Sequence, residues 1–203
     1  MFDLFNFLHI FVPLFVVVDP FAAMILFISY AKGRSKIERL KVVSDATLTS
    51  FLILVFFAIF GYYILLYFGI SIPALEVAGG ILILLTSVEM VTEGDKPQGS
   101  RRKQNSEPLG DIGIVPLGTP LLAGPGAISL VIILMHDYSW PLVMLSIILV
   151  TIITYLLFMG AFYIYNLIKE KGARALTRVF GVLVAGFAIQ YIFTGIALFF
   201  HIG

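Results

Sequence analysis

Residues 116–129 read Pro-Leu-Gly-Thr-Pro-Leu-Leu-Ala-Gly-Pro-Gly-Ala-Ile-Ser, with three prolines and three glycines in an otherwise apolar run. An interior proline removes a helical hydrogen bond and clashes with the preceding turn, at a cost of about 3 kcal/mol, so a continuous helix is not expected here. In a lipid bilayer, irregular backbone persists only where it is buried in protein or lines a cavity. The stretch therefore predicts an interrupted membrane span that supplies half of a binding site.

The composition of the chain is typical of a membrane protein. Of its 203 residues, 60% are hydrophobic and only 12% are charged, whereas a soluble domain is usually about 25% charged. The absence of cysteine excludes disulfides, thiolate catalysis and cysteine-ligated metals. The first six residues carry no positive side chain, so we expect a retained first span and not a cleaved signal peptide.

Six apolar segments are long enough to cross a hydrocarbon core about 30 Å thick, which takes about 20 helical residues. We therefore predict an all-α polytopic membrane protein with six transmembrane helices, at residues 5–30, 42–68, 73–91, 112–135, 141–167 and 178–200. The breaks between these spans fall at residues 31–41, 69–72, 92–111, 136–140 and 168–177.

The distribution of basic residues predicts the orientation. All 13 Lys and Arg residues lie in, or at the edge of, the breaks at 31–41, 92–111 and 168–177. With six spans these three breaks share one side, and the positive-inside rule makes that side cytoplasmic. We thus expect a multi-pass protein of the cell (plasma or inner) membrane, with Lys/Arg-rich cytoplasmic loops and both termini outside.

The chain divides into two halves that resemble each other. The corresponding pieces are Val-Pro-Leu at 12–14 and 115–117, Asp-Pro-Phe-Ala at 19–22 and Gly-Pro-Gly-Ala at 124–127, and Gly79 with Gly181. Three spans per half force the halves into opposite orientations, and paired interrupted spans are typical of a transporter's binding site. We predict a first inverted repeat at 1–92, a cytoplasmic linker at 93–111 and a second repeat at 112–203, with spans 1 and 4 discontinuous.

The two interruptions carry helix-start signals. Aspartate is a strong N-cap and proline is favoured at the first helical position, so a second half-helix is expected to begin at Asp19-Pro20. Gly124-Pro125 repeats the arrangement with glycine as the cap. Two helix N-termini facing a common space at the bilayer midplane would suit a carboxylate. Asp19, the only carboxylate that we place well inside a span, would receive an ammonium group.

Together these features predict a site for a zwitterion with little room for a side chain, that is, a small neutral amino acid. The predicted substrate-binding residues are Asp19, Pro20, Phe21, Ala22, Gly118, Thr119, Gly124, Pro125, Gly126 and Ala127. Structural alternatives stand beside this interpretation. Asp19 would then only cap its half-helix and the glycines would only allow close packing. Thr119 and Ser129 either bind substrate or satisfy backbone groups that the prolines leave free.

At these residues the chain resembles the MarC family of integral membrane proteins. The resemblance covers nearly the whole chain and rests on the Asp19-Pro20 break, the stretch at 115–129 and Arg-Val-Phe-Gly at 178–181. It implies six spans and, for some members, transport of small neutral amino acids such as glycine and alanine. The broader resemblance is to a superfamily of amino-acid and ion exporters built on inverted repeats. Where family members often carry Gly-Asn after the Asp-Pro, this chain has Ala22-Ala23.

The leading hypothesis is a secondary transporter of small neutral amino acids that works by alternating access. Asp19 would bind the substrate ammonium or carry a coupling proton; H⁺ or Na⁺ is the possible coupling ion and no other cofactor is expected. The alternative is an inorganic-cation transporter with Asp19, Asp45 and Glu89 as ligands. No zinc motif or Ser-Lys or Ser-His pair is found at membrane depth, so we expect no enzyme. The expected partners are the amino acid and the lipid bilayer, with no nucleic acid.

Overall fold

The computed structural model describes residues 3–31, 33–92 and 113–201, and within these ranges the regular structure is helical. The described residues contain seven α-helical elements: α1 Leu4–Val18, α2 Pro20–Ala31, α3 Lys36–Phe68, α4 Ile72–Thr92, α5 Pro125–Asp137, α6 Trp140–Met159 and α7 Ala161–Phe200. An irregular segment, Gly113–Leu122, precedes α5. The predicted linker at 93–111 lies outside the described residues.

Five helical stretches of the described chain are long and apolar enough to cross a membrane: Leu4–Ala31, Lys36–Phe68, Ile72–Thr92, Trp140–Met159 and Arg174–Phe200. The predicted fourth span at 112–135 is divided between the irregular segment and α5. With 13 residues, α5 is only about 20 Å long at 1.5 Å per residue. Both predicted interruptions are therefore present, one in residues 5–30 and one in residues 112–135.

The two interrupted regions occupy the centre of the bundle. In the stretch Leu4–Ala31, 67% of the most apolar window is buried inside the protein, against 33% or less in the four other candidate spans. Helix α5 is buried on several faces, and Leu130, Val131 and Ile133 have no exposed surface. Within the irregular segment, Leu117 and Leu122 are fully buried, whereas Ile114 and Val115 at its beginning are exposed. The part of the irregular backbone next to the break is thus enclosed by protein, as a bilayer requires. Large apolar side chains are exposed mainly on α3, α4, α6 and α7, where lipid would cover them.

One predicted break is shorter than expected. Residues 168–177 were expected to form a polar loop after a span that ends at 167, but α6 ends at Met159 and the helical stretch α7 covers Ala161–Phe200. At Lys169 (φ 54°, ψ 173°) the backbone leaves the helical region, so α7 consists of two helices joined at a kink that lies within the predicted break. Most residues of the polar segment Lys-Glu-Lys-Gly-Ala-Arg-Ala-Leu at 169–176 are good helix formers. The break is therefore a kink at a single residue and not a loop of ten residues.

Helix α3 also begins earlier than the predicted start at residue 42. Ser35 accepts a hydrogen bond from the Glu38 N–H (3.3 Å), and the Glu38 carboxylate accepts one from the Ser35 N–H (2.8 Å). This reciprocal capping box satisfies two donors that a helix start leaves unpaired. The polar first turns of α3 therefore extend beyond the apolar span.

Helices α4 and α7 pack antiparallel through backbone contacts. The contacting pairs are Pro73 with Gly195, Gly80 with Ala188, and Ser87 with Gly181. On each helix these positions recur every seven residues, so they form one continuous seam. A Cβ added at Gly195 would lie 2.6 Å from the Pro73 carbonyl oxygen, and one at Gly80 would lie 2.8 Å from the Ala188 carbonyl oxygen. Small residues at such a seam allow the close approach that drives helix association in lipid.

Candidate functional site

A single residue, Asp19, joins α1 to α2. Its backbone is left-handed (φ 43°, ψ 67°), and its N–H donates to the Phe15 carbonyl at 3.2 Å, which closes α1. Its carboxylate oxygen Oδ1 accepts a hydrogen bond from the Ala22 N–H at 3.2 Å, and Pro20 is the first residue of α2. Asp19 thus caps both helices, as the Asp-Pro signal predicts for the second of them.

The second oxygen of this carboxylate remains unsatisfied. Asp19 is 6% exposed, and its Oδ2 atom has no hydrogen-bond partner in the part of the chain that the structure describes. The Thr177 side chain of α7 lies beside it and is 5% exposed. Its hydroxyl oxygen likewise makes no hydrogen bond with a described residue. A buried polar atom without a partner is costly, and the Thr177 hydroxyl is close enough to donate to the Asp19 carboxylate. The pair is a candidate contact for a ligand that would bind to both groups.

Three phenylalanines surround the first break. The Phe21 ring lies 5.8 Å from the Phe180 ring and 6.3 Å from the Phe15 ring, and the Phe15 and Phe180 rings are also 6.3 Å apart. These centroid distances are typical of favourable aromatic pairs. Phe21 was predicted as a site residue. Phe15 and Phe180, which were not predicted, pack against its ring. Together they form an apolar wall next to Asp19.

The second break has a bare helix start. Gly124 is the N-cap of α5 (φ −77°, ψ 170°) and Pro125 follows at the first helical position, as predicted. Glycine offers no side chain to accept a hydrogen bond from the first N–H groups of the helix. Gly126 and Ala127 are both buried, whereas Pro125 is exposed. The start of α5 therefore has uncapped donors at the edge of the buried interior, which suits a small anionic group.

The packing brings the two interrupted regions side by side. Helix α1 contacts α5, whereas α2 contacts the irregular segment Gly113–Leu122. This crossed pattern means that the two regions run antiparallel, so their breaks at Asp19 and at Gly124 fall in the same central zone. The predicted pairing of the two breaks thus has a direct counterpart in the helix contacts.

Several predicted residues have a packing role in the structure. A Cβ added at Gly118 would lie 2.9 Å from the Thr49 Cβ atom and 3.1 Å from the Ala46 carbonyl oxygen, so this glycine allows the irregular segment to approach α3. A Cβ added at Gly126 would lie 3.2 Å from the Ile83 Cγ1 atom of α4. The absence of a side chain at Gly118 and Gly126 therefore allows close packing against α3 and α4. This packing role is independent of any ligand contact that their backbone makes.

The remaining predicted residues differ in their accessibility. Pro20 is buried, and Ala22, Thr119 and Gly124 are half-buried. The backbone of Thr119 is extended (φ −140°, ψ 130°) within the irregular segment. Ser129, which was left open as a ligand or a backbone partner, is 6% exposed and packs against Gly79.

Sequence reasoning missed Thr177, Phe15, Phe180 and Glu76. Phe180 belongs to the segment at 178–181 that carried the family resemblance and Thr177 directly precedes it, but only the packing of α7 against α2 places them near Asp19. Glu76, in the second turn of α4, is 2% exposed, so Asp19 is not the only buried acid. Its position close to the start of a span gave no sign of burial.

The fold and these breaks define a class: an α-helical integral membrane protein with several apolar helices around two interrupted central segments. The sequence profile described as "MarC family integral membrane protein" matches residues 4–200. The chain therefore belongs to the MarC family.

Similar proteins come from archaea and bacteria. A UPF0056 membrane protein of Methanocaldococcus jannaschii is 37% identical over 199 residues, which cover 96% of this chain and 97% of the relative. One from Archaeoglobus fulgidus is 35% identical over 192 residues (92% and 90%). YhcE of Escherichia coli, also named a UPF0056 membrane protein, is 32% identical over 201 residues (96% and 94%). No solved structure matches the chain.

Proposed function

We propose that this protein is a secondary transporter of small neutral amino acids, such as glycine, alanine and serine, whose substrate binds between the two central breaks. The observation that carries the proposal is the Asp19 carboxylate, which is 6% exposed and has one oxygen without a partner among the described residues. Acidic side chains at such depth in membrane proteins are rare and usually functional.

The two breaks complement the two charges of a zwitterion. The unsatisfied oxygen of Asp19 would accept a hydrogen bond from the substrate ammonium, and the neighbouring Thr177 hydroxyl would accept a second one. The uncapped N–H groups at the start of α5 would bind the substrate carboxylate. The aromatic wall of Phe15, Phe21 and Phe180 and the packed glycines leave little room for a side chain, which favours the smallest amino acids.

We further propose that the chain consists of two inverted repeats, 1–92 and 112–203. The helix pairings support this symmetry: α3 packs on the irregular segment as α6 packs on α1, and α4 packs on α5 as α7 packs on α2. A groove of about 380 Å³ between α3 and α6 gives further support. Its walls match across the two helices, with Thr47, Leu48 and Phe51 facing Thr151, Ile152 and Tyr155. Alternating access would move one repeat against the other.

The basic residues support a cytoplasmic position for the loops at 31–41 and 92–111 and for the polar part of α7. Both termini would then face outward from the cell membrane. No described residue is assigned a catalytic role, and we propose that the protein is not an enzyme. The inorganic-cation alternative is less well supported. Asp19 is buried whereas Glu89 is exposed, and no three His, Asp or Glu side chains of the described residues are placed to share a metal ion.

A substrate panel in proteoliposomes tests the proposal. With imposed proton or sodium gradients, we expect saturable uptake of glycine, alanine and serine, and weak uptake of leucine, lysine and glutamate, which exceed the site in size or charge. Trimethylglycine is the matched control ligand, because it keeps both charges but has no N–H to donate to Asp19. Accumulation of none of the amino acids, together with uptake of inorganic cations, would contradict the proposal.

The Gly126–Ile83 contact permits a sharper test of the α5 start. We expect Gly126→Ala to reduce glycine uptake, because the added methyl group crowds the first turn of α5. In the double variant Gly126→Ala/Ile83→Ala the methyl group has space, since Ile83 loses the atom that lies 3.2 Å away. Uptake that stays low in the double variant supports a ligand role for the backbone at Gly126. Full recovery would mean that Gly126 serves packing alone.

A further inference from the structure

A second buried acid lies outside the proposed substrate site. Glu76 is in the second turn of α4, is 2% exposed, and its Oε2 atom has no hydrogen-bond partner among the described residues. The seam with α7 accounts for its burial, because a Cβ added at Gly195 would lie only 2.9 Å from the Glu76 Cβ atom. The close approach of α7 thus covers this carboxyl group although it is near the end of the span.

The groups that face Glu76 do not neutralise a negative charge. The Tyr191 phenol of α7 and the Asp137 and His136 side chains at the end of α5 are near enough to interact electrostatically with Glu76. Tyr138 completes the cluster, since it is near enough to interact electrostatically with Tyr191. His136 is the only member that can be cationic, and it is already paired with Asp137 at 3.0 Å. The other acid of α4, Glu89, is on the far end of the helix.

A buried carboxylate without a cation costs several kcal/mol, so its charge must be compensated. A metal ion has no ligand set here, because no three acidic or imidazole groups of the described residues are arranged to share one. A proton needs no further ligand and converts the carboxylate to a neutral acid that can donate a hydrogen bond. The structure therefore favours a proton at Glu76.

The cluster also provides access to water and a connection to the substrate site. The His136 and Asp137 side chains are 49% and 37% exposed, at the end of α5 opposite to its start at Pro125. Glu76 and Ile83 lie on one face of α4, seven residues apart, and Ile83 packs on Gly126 at that start. A change at Glu76 can thus reach the first turn of α5 through α4.

We propose that Glu76 binds the coupling proton, which enters from the outer side past the His136–Asp137 pair. The coupling role rests on the proposed transport function, whereas proton binding by Glu76 does not. In the binding step the carboxylate takes up one proton, and the proton leaves again when the bundle faces the cytoplasm.

Infrared difference spectra of the purified protein test proton binding without any transport assay. Between acid and alkaline pH, we expect a C=O band of a protonated buried carboxyl group that Glu76→Gln eliminates. Glu89→Gln, which changes an exposed acid of the same helix, should leave the band unchanged. If Glu76→Gln fails to fold, Glu76→Asp replaces it and should shift the band. A band that is identical in wild type and in the folded Glu76 variant would overturn the proposal.

Proteoliposomes that contain a pH-sensitive dye test the coupling. We expect Glu76→Gln to retain exchange of labelled glycine across the membrane but to lose glycine-driven proton flux, while Glu89→Gln retains both. Normal proton flux in Glu76→Gln would refute the coupling role, and loss of exchange would instead place Glu76 in substrate binding. If the wild type exchanges no amino acid, the transport proposal fails, and the infrared result still decides proton binding.

Discussion

Asp19→Asn is expected to weaken glycine uptake at least about tenfold in a protein that still folds. Asparagine is as good an N-cap as aspartate and tolerates left-handed backbone, so it can keep the hydrogen bond from the Ala22 N–H and the φ of 43°. Asparagine lacks the negative charge that would attract the substrate ammonium group. A hydrogen bond to a charged group contributes about 1.5–3 kcal/mol, so glycine binding should weaken at least about tenfold.

The matched control is Asp3→Asn. Asp3 also caps a helix, since its Oδ1 atom accepts hydrogen bonds from the N–H groups of Phe5 and Asn6, but it is exposed at the start of α1. This variant should take up glycine like the wild type. Uptake kinetics and elution as a single folded species separate the two effects. Normal uptake by Asp19→Asn would mean that the buried carboxylate only caps α2.

Gly195→Ala is expected to destabilise the protein strongly, because its new Cβ atom would lie 2.6 Å from the Pro73 carbonyl oxygen and 2.9 Å from the Glu76 Cβ atom. A backbone oxygen cannot rotate away, so α4 and α7 must separate along their seam. Overpacking of this kind costs about 1–3 kcal/mol or more. The thermal unfolding midpoint in detergent measures the effect.

Gly186→Ala on the same helix is the control, because a Cβ added there meets nothing within 4 Å. Alanine is favoured over glycine in helices by about 1 kcal/mol, so this variant should match or exceed the wild-type midpoint. Equal midpoints for the two alanine variants would show that the seam adapts to a methyl group, contrary to the close backbone contact.

Local signals predicted both breaks. Asp19-Pro20 and Gly124-Pro125 mark helix starts through capping and the missing proline N–H, which depend on a few neighbouring residues. Composition was a weaker guide to the length of a break, since most of the polar residues 168–177 are helical and the chain leaves the helical conformation only at the Lys169 kink. The predicted site residues were near the breaks, but whether Gly118 and Gly126 face a ligand or a helix is decided by α3 and α4.

Contacts between distant segments were beyond the reach of sequence patterns. Thr177 comes beside Asp19 because α7 packs on α2, and Glu76 is buried because Gly195 lets α7 approach α4. Each depends on residues about a hundred or more positions apart. No local sequence pattern near Thr177 or Glu76 predicts which residues surround them in the fold.

The contrast between the two sides of the bundle has a mechanical consequence. Along the α4–α7 seam, the two backbones approach each other closely at three positions spaced by seven residues. On the other side, α3 and α6 leave a groove of about 380 Å³ between them. Relative motion of the halves should therefore pivot about the tightly packed seam. The same motion should open or narrow the groove between α3 and α6.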